Sequence, residues 1–164
     1  MYLLDEIEDG LYLGDKEQAS QLNLLFKFKI THILIAGTGS GLEPYFSSRF
    51  VYKQLPIVDC PSFDILNYFD EATEFIEEAI NSGGRVMVHC AQGISRSASI
   101  VIAYIMKQRC WNFRKAKLFV QYLHPPTKPN RGFAKQLEIY SRILSIREPA
   151  STTKRNASCA CTLF

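Results

Sequence analysis

The sequence predicts a layered α/β fold in a single domain, on three observations. Short apolar or β-branched runs at 31–36 (THILIA), 50–58 (FVYKQLPIV) and 85–89 (RVMVH) alternate with longer stretches whose apolar residues recur near a 3.6-residue period. Glycine and proline clusters mark the joins. The 164 residues, 47% hydrophobic and 21% charged, make one domain with enough apolar side chains for a real core.

Gly10-Leu11-Tyr12-Leu13-Gly14 is an apolar segment between glycines and reads as the opening strand. Asp15 is placed to cap a helix running to about Phe28, with Glu17 and Gln18 in its first turns. Thr31–Ala36 is continuous and β-branched, the mark of a buried strand. Gly37-Thr38-Gly39-Ser40-Gly41 superficially resembles a dinucleotide-binding turn. Pro44 follows it, no amphipathic helix starts there, and no acidic residue lies at the required distance, so it reads as a flexible connector. Phe50–Val58 is a further strand, its end placed near an edge or bend by Pro56. Asp59–Asp64 is a turn-rich loop, and Asp64 or Asn67 can cap the helix after it, whose apolar stripe is Phe69, Ala72, Phe75, Ile76, Ala79 and Ile80.

Gly83-Gly84 ends that helix, Arg85–His89 is the central strand, and a helix runs from Ser97 to about Gln108. Asn112 caps another through Tyr122, with Phe113, Ala116, Phe119, Val120 and Leu123 on its apolar face. Pro125, Pro126 and Pro129 enforce a loop. Asn130 opens the last helix, which runs to about Ile146 with Phe133, Leu137, Tyr140, Ile143 and Leu144 turned inward. Residues 1–147 form the domain. The tail 148–164 is rich in Ser, Thr, Pro and Lys, with little apolar content, and is expected to be disordered.

A net charge of +3 is too mild for a nucleic-acid binder, which would cluster basic residues in a stripe or patch. The five cysteines (Cys60, Cys90, Cys110, Cys159, Cys161) are odd in number and match no zinc spacing. Met1–Glu6 has no secretory pattern and no apolar run approaches the ~18 residues of a membrane span, so a cytoplasmic, reducing location is expected. The Asn156-Ala157-Ser158 sequon is then idle. His32 and His124 have no metal-compatible partners and read as structural or surface residues; no metal and no cofactor are expected.

The chemistry concentrates in Val86–Ser97, where an apolar run ends in His89-Cys90 and a glycine-containing loop leads through Arg96-Ser97 into an apolar helical pattern. A loop running from a strand into a helix N-terminus turns successive N–H groups inward and makes a nest for an anion, helped by the helix dipole. The same positive potential favours the thiolate of a cysteine at the loop's start, the nucleophilic form. Arg96 adds a planar fork matched to two phosphate oxygens. Gly93 permits a positive φ or a close backbone approach. A thiolate, an anion cradle and a fixed guanidinium together describe a nucleophile aimed at phosphorus.

His89-Cys90-Ala91-Gln92-Gly93-Ile94-Ser95-Arg96-Ser97 resembles the phosphate-binding loop of cysteine-dependent protein phosphatases, and its Gly-Ile-Ser-Arg-Ser-Ala form resembles the dual-specificity branch. Similar words occur at Gly10–Gly14, Ile30–Leu34, the Asp59 loop with Phe63-Asp64-Ile65, Gly83–Val86, and Pro129-Asn130 with Phe133 and Gln136-Leu137. The resemblance spans about residues 5–147 and is to the small, single-domain members. It implies a central twisted, mostly parallel or mixed sheet with helices on both faces.

It also implies roles. Cys90 attacks the phosphoryl group and forms a phosphocysteine, while Arg96 and the N–H groups of Ala91, Gln92, Gly93, Ile94, Ser95 and Arg96 hold its oxygens. Asp59, 31 positions before Cys90, matches the general acid; Asp64 is the rival, with a capping role as its simpler reading. Ser97 resembles the hydroxyl that stabilises the leaving thiolate. His89 resembles a buried histidine that orients the cysteine backbone. Asn130 resembles an asparagine that braces the phosphate loop, and equally reads as a helix cap. The resemblance implies phosphorylated protein partners, a protein kinase among them, with hydrolysis of phosphotyrosine and phosphoserine/threonine; a monomer is expected.

Two other readings use the same loop: a phosphatase of phosphoinositides or RNA 5′-phosphates, and a phospho-binding module without turnover. Ala91, Gln92, Ile94 and Ser95 are neutral, which points to protein substrates, and a binding module would have lost Cys90, Arg96 or Asp59. Cys60 beside the acid reads as an ordinary loop cysteine, with a protective disulfide to Cys90 as the alternative; Cys110 reads as core. Arg85, Arg109, Arg114 and Lys115 read as a solvated basic face. Cys161-Thr162-Leu163-Phe164 fits C-a-a-X, its terminal Phe favouring geranylgeranyl, although Thr162 is not aliphatic. Cys159 offers a second acylation site and Lys154-Arg155 basic support, so peripheral membrane association is the expectation for the tail.

Overall fold

A computed structural model describes residues 3–147, and the expectations for the tail, Cys159 and Cys161 included, lie outside the described residues. The chain runs β1 (Asp5–Glu8), β2 (Leu11–Gly14), α1 (Lys16–Ala19), α2 (Leu22–Lys27), β3 (His32–Ala36), β4 (Val51–Leu55), α3 (Leu66–Asn81), β5 (Val86–His89), α4 (Arg96–Arg109), α5 (Phe113–Leu123) and α6 (Arg131–Arg147). The sheet order is β1-β2-β5-β3-β4. β1 is antiparallel to β2 and the other pairings are parallel, so the sheet is mixed and mostly parallel.

Alternation along the strands divides the core in two. Leu11, Leu13, Leu34, Val86 and Val88 face a layer of α3, α4, α5 and α6. Tyr12, Ile33, Ile35 and Met87 face the smaller layer of α1 and α2, where Leu24, Leu25 and Phe50 cover them. β5 is central and wholly buried, flanked by β2 and β3. Because these three strands are parallel, their carboxyl ends open on one edge, where open α/β sheets bind ligands. The loop that follows His89 lies there.

Several elements differ from expectation. β1 was not foreseen: it joins β2 through Asp9-Gly10, with Gly10 at φ +81°. An Asp-Gly pair between two short runs is the hairpin signal that marks it. The helix expected over 15–28 is two. Asp15 caps α1 in a capping box with Gln18, but the Ser20 hydroxyl bonds the Glu17 carbonyl and Gln21 is extended, so the ladder breaks. β4 stops at Leu55, ahead of Pro56.

Neither Asp64 nor Asn67 caps α3. Their side chains bond each other at 2.8 Å, and the Leu66 N–H donates instead to Gln136 Oε1 of α6 at 2.9 Å. Cys110 is not core: it is exposed and ends α4 in the left-handed region at φ +51°. The Asn112 cap holds, its side chain accepting from the Lys115 N–H. Gly37–Gly41 adopts neither helix nor strand.

Candidate active site

The loop from β5 to α4 closes on its own sulfur. Cys90, 2% exposed, receives the Gly93 N–H at 3.3 Å and the Ser97 hydroxyl at 3.2 Å. Both donors point at the sulfur. Ser97 can reach back because α4 begins at Arg96, which puts its hydroxyl in the buried first turn. Gly93 sits at φ +69°, and a Cβ there would come within 2.8 Å of the Gly14 carbonyl at the end of β2. Position 93 therefore needs glycine for both conformation and room.

Arg96 is mostly buried, and its Nε has no hydrogen-bond partner. Asp59 Oδ2 is 3.9 Å away. Gly37, at φ +139°, lies directly on the guanidinium, where a side chain would collide with Nη1. The connector after β3 is thus a wall of the site. A buried guanidinium N–H with no protein acceptor fits an anionic ligand.

Asp59 is held over the same loop. Its Oδ1 accepts from the Ser95 hydroxyl at 2.9 Å and from Asn130 Nδ2 at 2.9 Å. Asn130 carries both roles that its sequence context allowed. Its Oδ1 accepts from the N–H groups of Gly132 and Phe133 and so caps α6, and its own N–H donates to Ser95 Oγ at 3.1 Å. Gly132 packs on the Pro61 backbone, which fixes the start of α6 against the Asp59 loop. Ser95 therefore does more than line the loop, since its hydroxyl joins the Asp59 carboxylate to the loop after β5. That role had no local signal, because its partners are 36 and 35 positions away.

His89 is fully buried. Its Nδ1 lies 3.3 Å from the Cys90 carbonyl, and burial pushes its imidazolium down to about 4, so the ring is neutral. Cys60 carries a free thiol that contacts the Ser62 hydroxyl at 3.1 Å; that hydrogen bond lowers its pKa. Arg85 pairs with Glu6 at the opposite end of β5, and Arg109 pairs with Glu8 and stacks on Trp111, so these cations are spent on structure. His124, read as structural or surface, is buried with both ring nitrogens on acceptors, the Asp5 carboxylate and the Gly93 carbonyl.

The chain matches the dual specificity phosphatase catalytic domain over residues 11–143. It is 40% identical over 139 residues to dual specificity protein phosphatase 1B of Arabidopsis thaliana, covering 85% of this chain and 82% of that protein. It is 43% identical to mouse dual specificity protein phosphatase 19 over 82% of this chain and 60% of that one. Among solved structures, the human tyrosine phosphatase-like serine/threonine/tyrosine-interacting protein superposes with a TM-score of 0.83 at 39% identity, over 87% of this chain and 98% of that one. DUSP15 superposes with a TM-score of 0.75 at 32% identity, over 88% of this chain and 96% of that one. A sulfur, a guanidinium whose Nε has no hydrogen-bond partner and a tethered carboxylate on one edge of this sheet agree with that kinship, and the chain belongs to the dual specificity phosphatases, a family of protein phosphatase hydrolases.

Proposed function

We propose that Cys90 is the nucleophile, Arg96 and the N–H groups of residues 91–96 the phosphate holder, Asp59 the general acid and base, and Ser97 the stabiliser of the leaving thiolate. The observation that carries this reading is the Asp59 carboxylate. Its Oδ1 is occupied by Ser95 and Asn130, which leaves Oδ2, on the Arg96 side, for the proton-transfer role. In the first step an S–P bond forms from the Cys90 thiolate as the P–O bond to substrate breaks, and Asp59 protonates the departing oxygen. In the second, Asp59 takes a proton from water as its oxygen attacks phosphorus. The S–P bond breaks, phosphate leaves, and the Ser97 hydroxyl receives the restored thiolate. Fixed N–H groups and a guanidinium meet the charge on the phosphoryl oxygens without reorganising.

Cys90→Ser is expected to abolish aryl phosphate turnover while tungstate still binds. Asp59→Ala is expected to cut turnover about a hundredfold or more and remove the basic limb of the pH–rate profile. Asp64→Ala is expected to leave that limb in place. Retained turnover in Cys90→Ser sinks the nucleophile assignment, and the reverse order of the aspartates moves the acid to Asp64.

Phosphorylated proteins are the substrates. The finer reading is a monomer in the cytoplasm that acts on phosphotyrosine and phosphoserine/threonine, a protein kinase among its targets, held at a membrane by a lipid on Cys161, with Cys159 as the second acyl site. The neutral Ala91, Gln92 and Ile94 support protein over polyanionic substrates, and the Cys161-Thr162-Leu163-Phe164 sequence supports the tether.

A further inference from the structure

The phosphate loop works only if its N–H groups point inward, and in a trans peptide the carbonyl points the opposite way from the following N–H. No cis peptide occurs among the described residues. Orienting the cradle is therefore a matter of holding the loop's carbonyls outward. Three consecutive ones are held. The Ser95 carbonyl accepts from the Ser99 N–H at 2.9 Å and its hydroxyl at 2.7 Å, inside α4. The Ile94 carbonyl accepts from the Lys128 N–H at 2.8 Å. The Gly93 carbonyl accepts from His124 Nε2 at 2.9 Å.

The first two rest on α4 or on a backbone donor. The third rests on one side chain, at the loop's glycine. His124 is itself braced. Its N–H donates to the Val120 carbonyl at 2.7 Å and its carbonyl accepts from the Thr127 N–H at 3.0 Å, so the turn after α5 is fixed. Its ring is buried, and Nδ1 lies 2.6 Å from Asp5 Oδ2 on β1. The ring thus spans two partners, with Nδ1 on the Asp5 carboxylate and Nε2 on the Gly93 carbonyl, and Asp5 orients it. A carboxylate that aims an imidazole at a functional atom is a familiar supporting arrangement.

We propose that His124, aimed by Asp5, is a positioning residue of the phosphate loop: by holding the Gly93 carbonyl outward it turns the Ile94 N–H toward the phosphoryl oxygens. The proposal rests on the phosphatase reading of Cys90 and Arg96 and adds to it a dependence on the edge strand β1. His124 touches no reacting atom, so its removal loosens anion binding without abolishing chemistry.

The test is calorimetric titration of inorganic phosphate into the full chain, with aryl phosphate turnover measured separately. His124→Phe keeps the ring's bulk and loses the donor; its phosphate Kd is expected to rise about tenfold, with kcat/KM falling at least as far. His124→Gln restores an N–H donor and is expected to stay within about threefold of the parent on both measures. Asp5→Ala leaves His124 in place and is expected to raise the phosphate Kd about threefold, which provides a second readout should His124→Phe not fold. A folded His124→Phe with the parental phosphate Kd overturns the proposal, as does an Asp5→Ala with the parental Kd when His124→Phe does not fold. A parent chain that binds phosphate but turns over no aryl phosphate instead overturns the phosphatase reading and leaves the Kd comparison readable.

Discussion

His89 shows how one buried residue ties stability to the site. Its ring sits beneath the phosphate loop with Nδ1 on the Cys90 carbonyl, and its Nε2 has no partner. Burial holds its pKa near 4 against an unfolded value of 6.5, so the unfolded chain takes up the proton first as pH falls. The stability this neutral ring confers is complete above about pH 6.5 and lost as pH falls toward 4. Urea unfolding is expected to show a loss of about 2 kcal/mol between pH 7 and pH 5 from this group. His89→Gln is expected to remove that part of the slope. An unchanged slope in the variant would assign the acid sensitivity elsewhere. Asn130 and Ser95 make the complementary point for the Asp59 carboxylate. Ser95 and Asn130 both donate to Asp59 Oδ1, and the Asn130 N–H donates to Ser95 Oγ, so the carboxylate is tied directly to the loop after β5.

At the scale of elements, α3 and α6 share a cap. Gln136 accepts the Leu66 N–H at 2.9 Å and donates to the Phe63 carbonyl at 2.8 Å, closing the start of α3 from a neighbouring helix. Asp64 meanwhile bonds Asn67 at an exposed position. Gln136→Leu is expected to cost about 1–2 kcal/mol in chemical denaturation, and Asp64→Ala less than about 0.5 kcal/mol. Equal costs would mean that Asp64 contributes to the cap after all. The two asparagine caps, Asn112 on α5 and Asn130 on α6, were legible because each lies beside its own helix. The Gln136 cap was not, because it sits 70 positions from the N–H it satisfies.

For the whole molecule, the sheet gathers what the chain scatters. Cys90 leaves the central strand, Asp59 arrives from the loop after β4, and Gly37 leaves β3, so the parallel strands deliver all three to one edge. Among the described residues no helix is long and apolar enough to cross a membrane. Intact mass of the full chain made in a eukaryotic host is expected to carry a prenyl increment that Cys161→Ser lacks; an unmodified parent mass removes the tether. One prenyl chain binds only marginally, so Cys159→Ser is expected to shift a membrane-bound fraction toward the soluble one.

The sequence by itself determined the chemistry and most of the elements. His89–Ser97 carries its meaning in nine adjacent residues, and the period of apolar side chains marks a helix wherever the core lies. Tertiary structure alone decided how that chemistry is held: Ser95 on Asp59, Gln136 at the head of α3, Gly37 against Arg96, and Asp5 behind His124, 119 positions apart. The reason is physical. Cys90 and the loop N–H groups around it are local because one strand–loop–helix turn builds both, whereas a hydrogen bond between distant residues leaves no pattern in either one's neighbours and exists only once the core has closed.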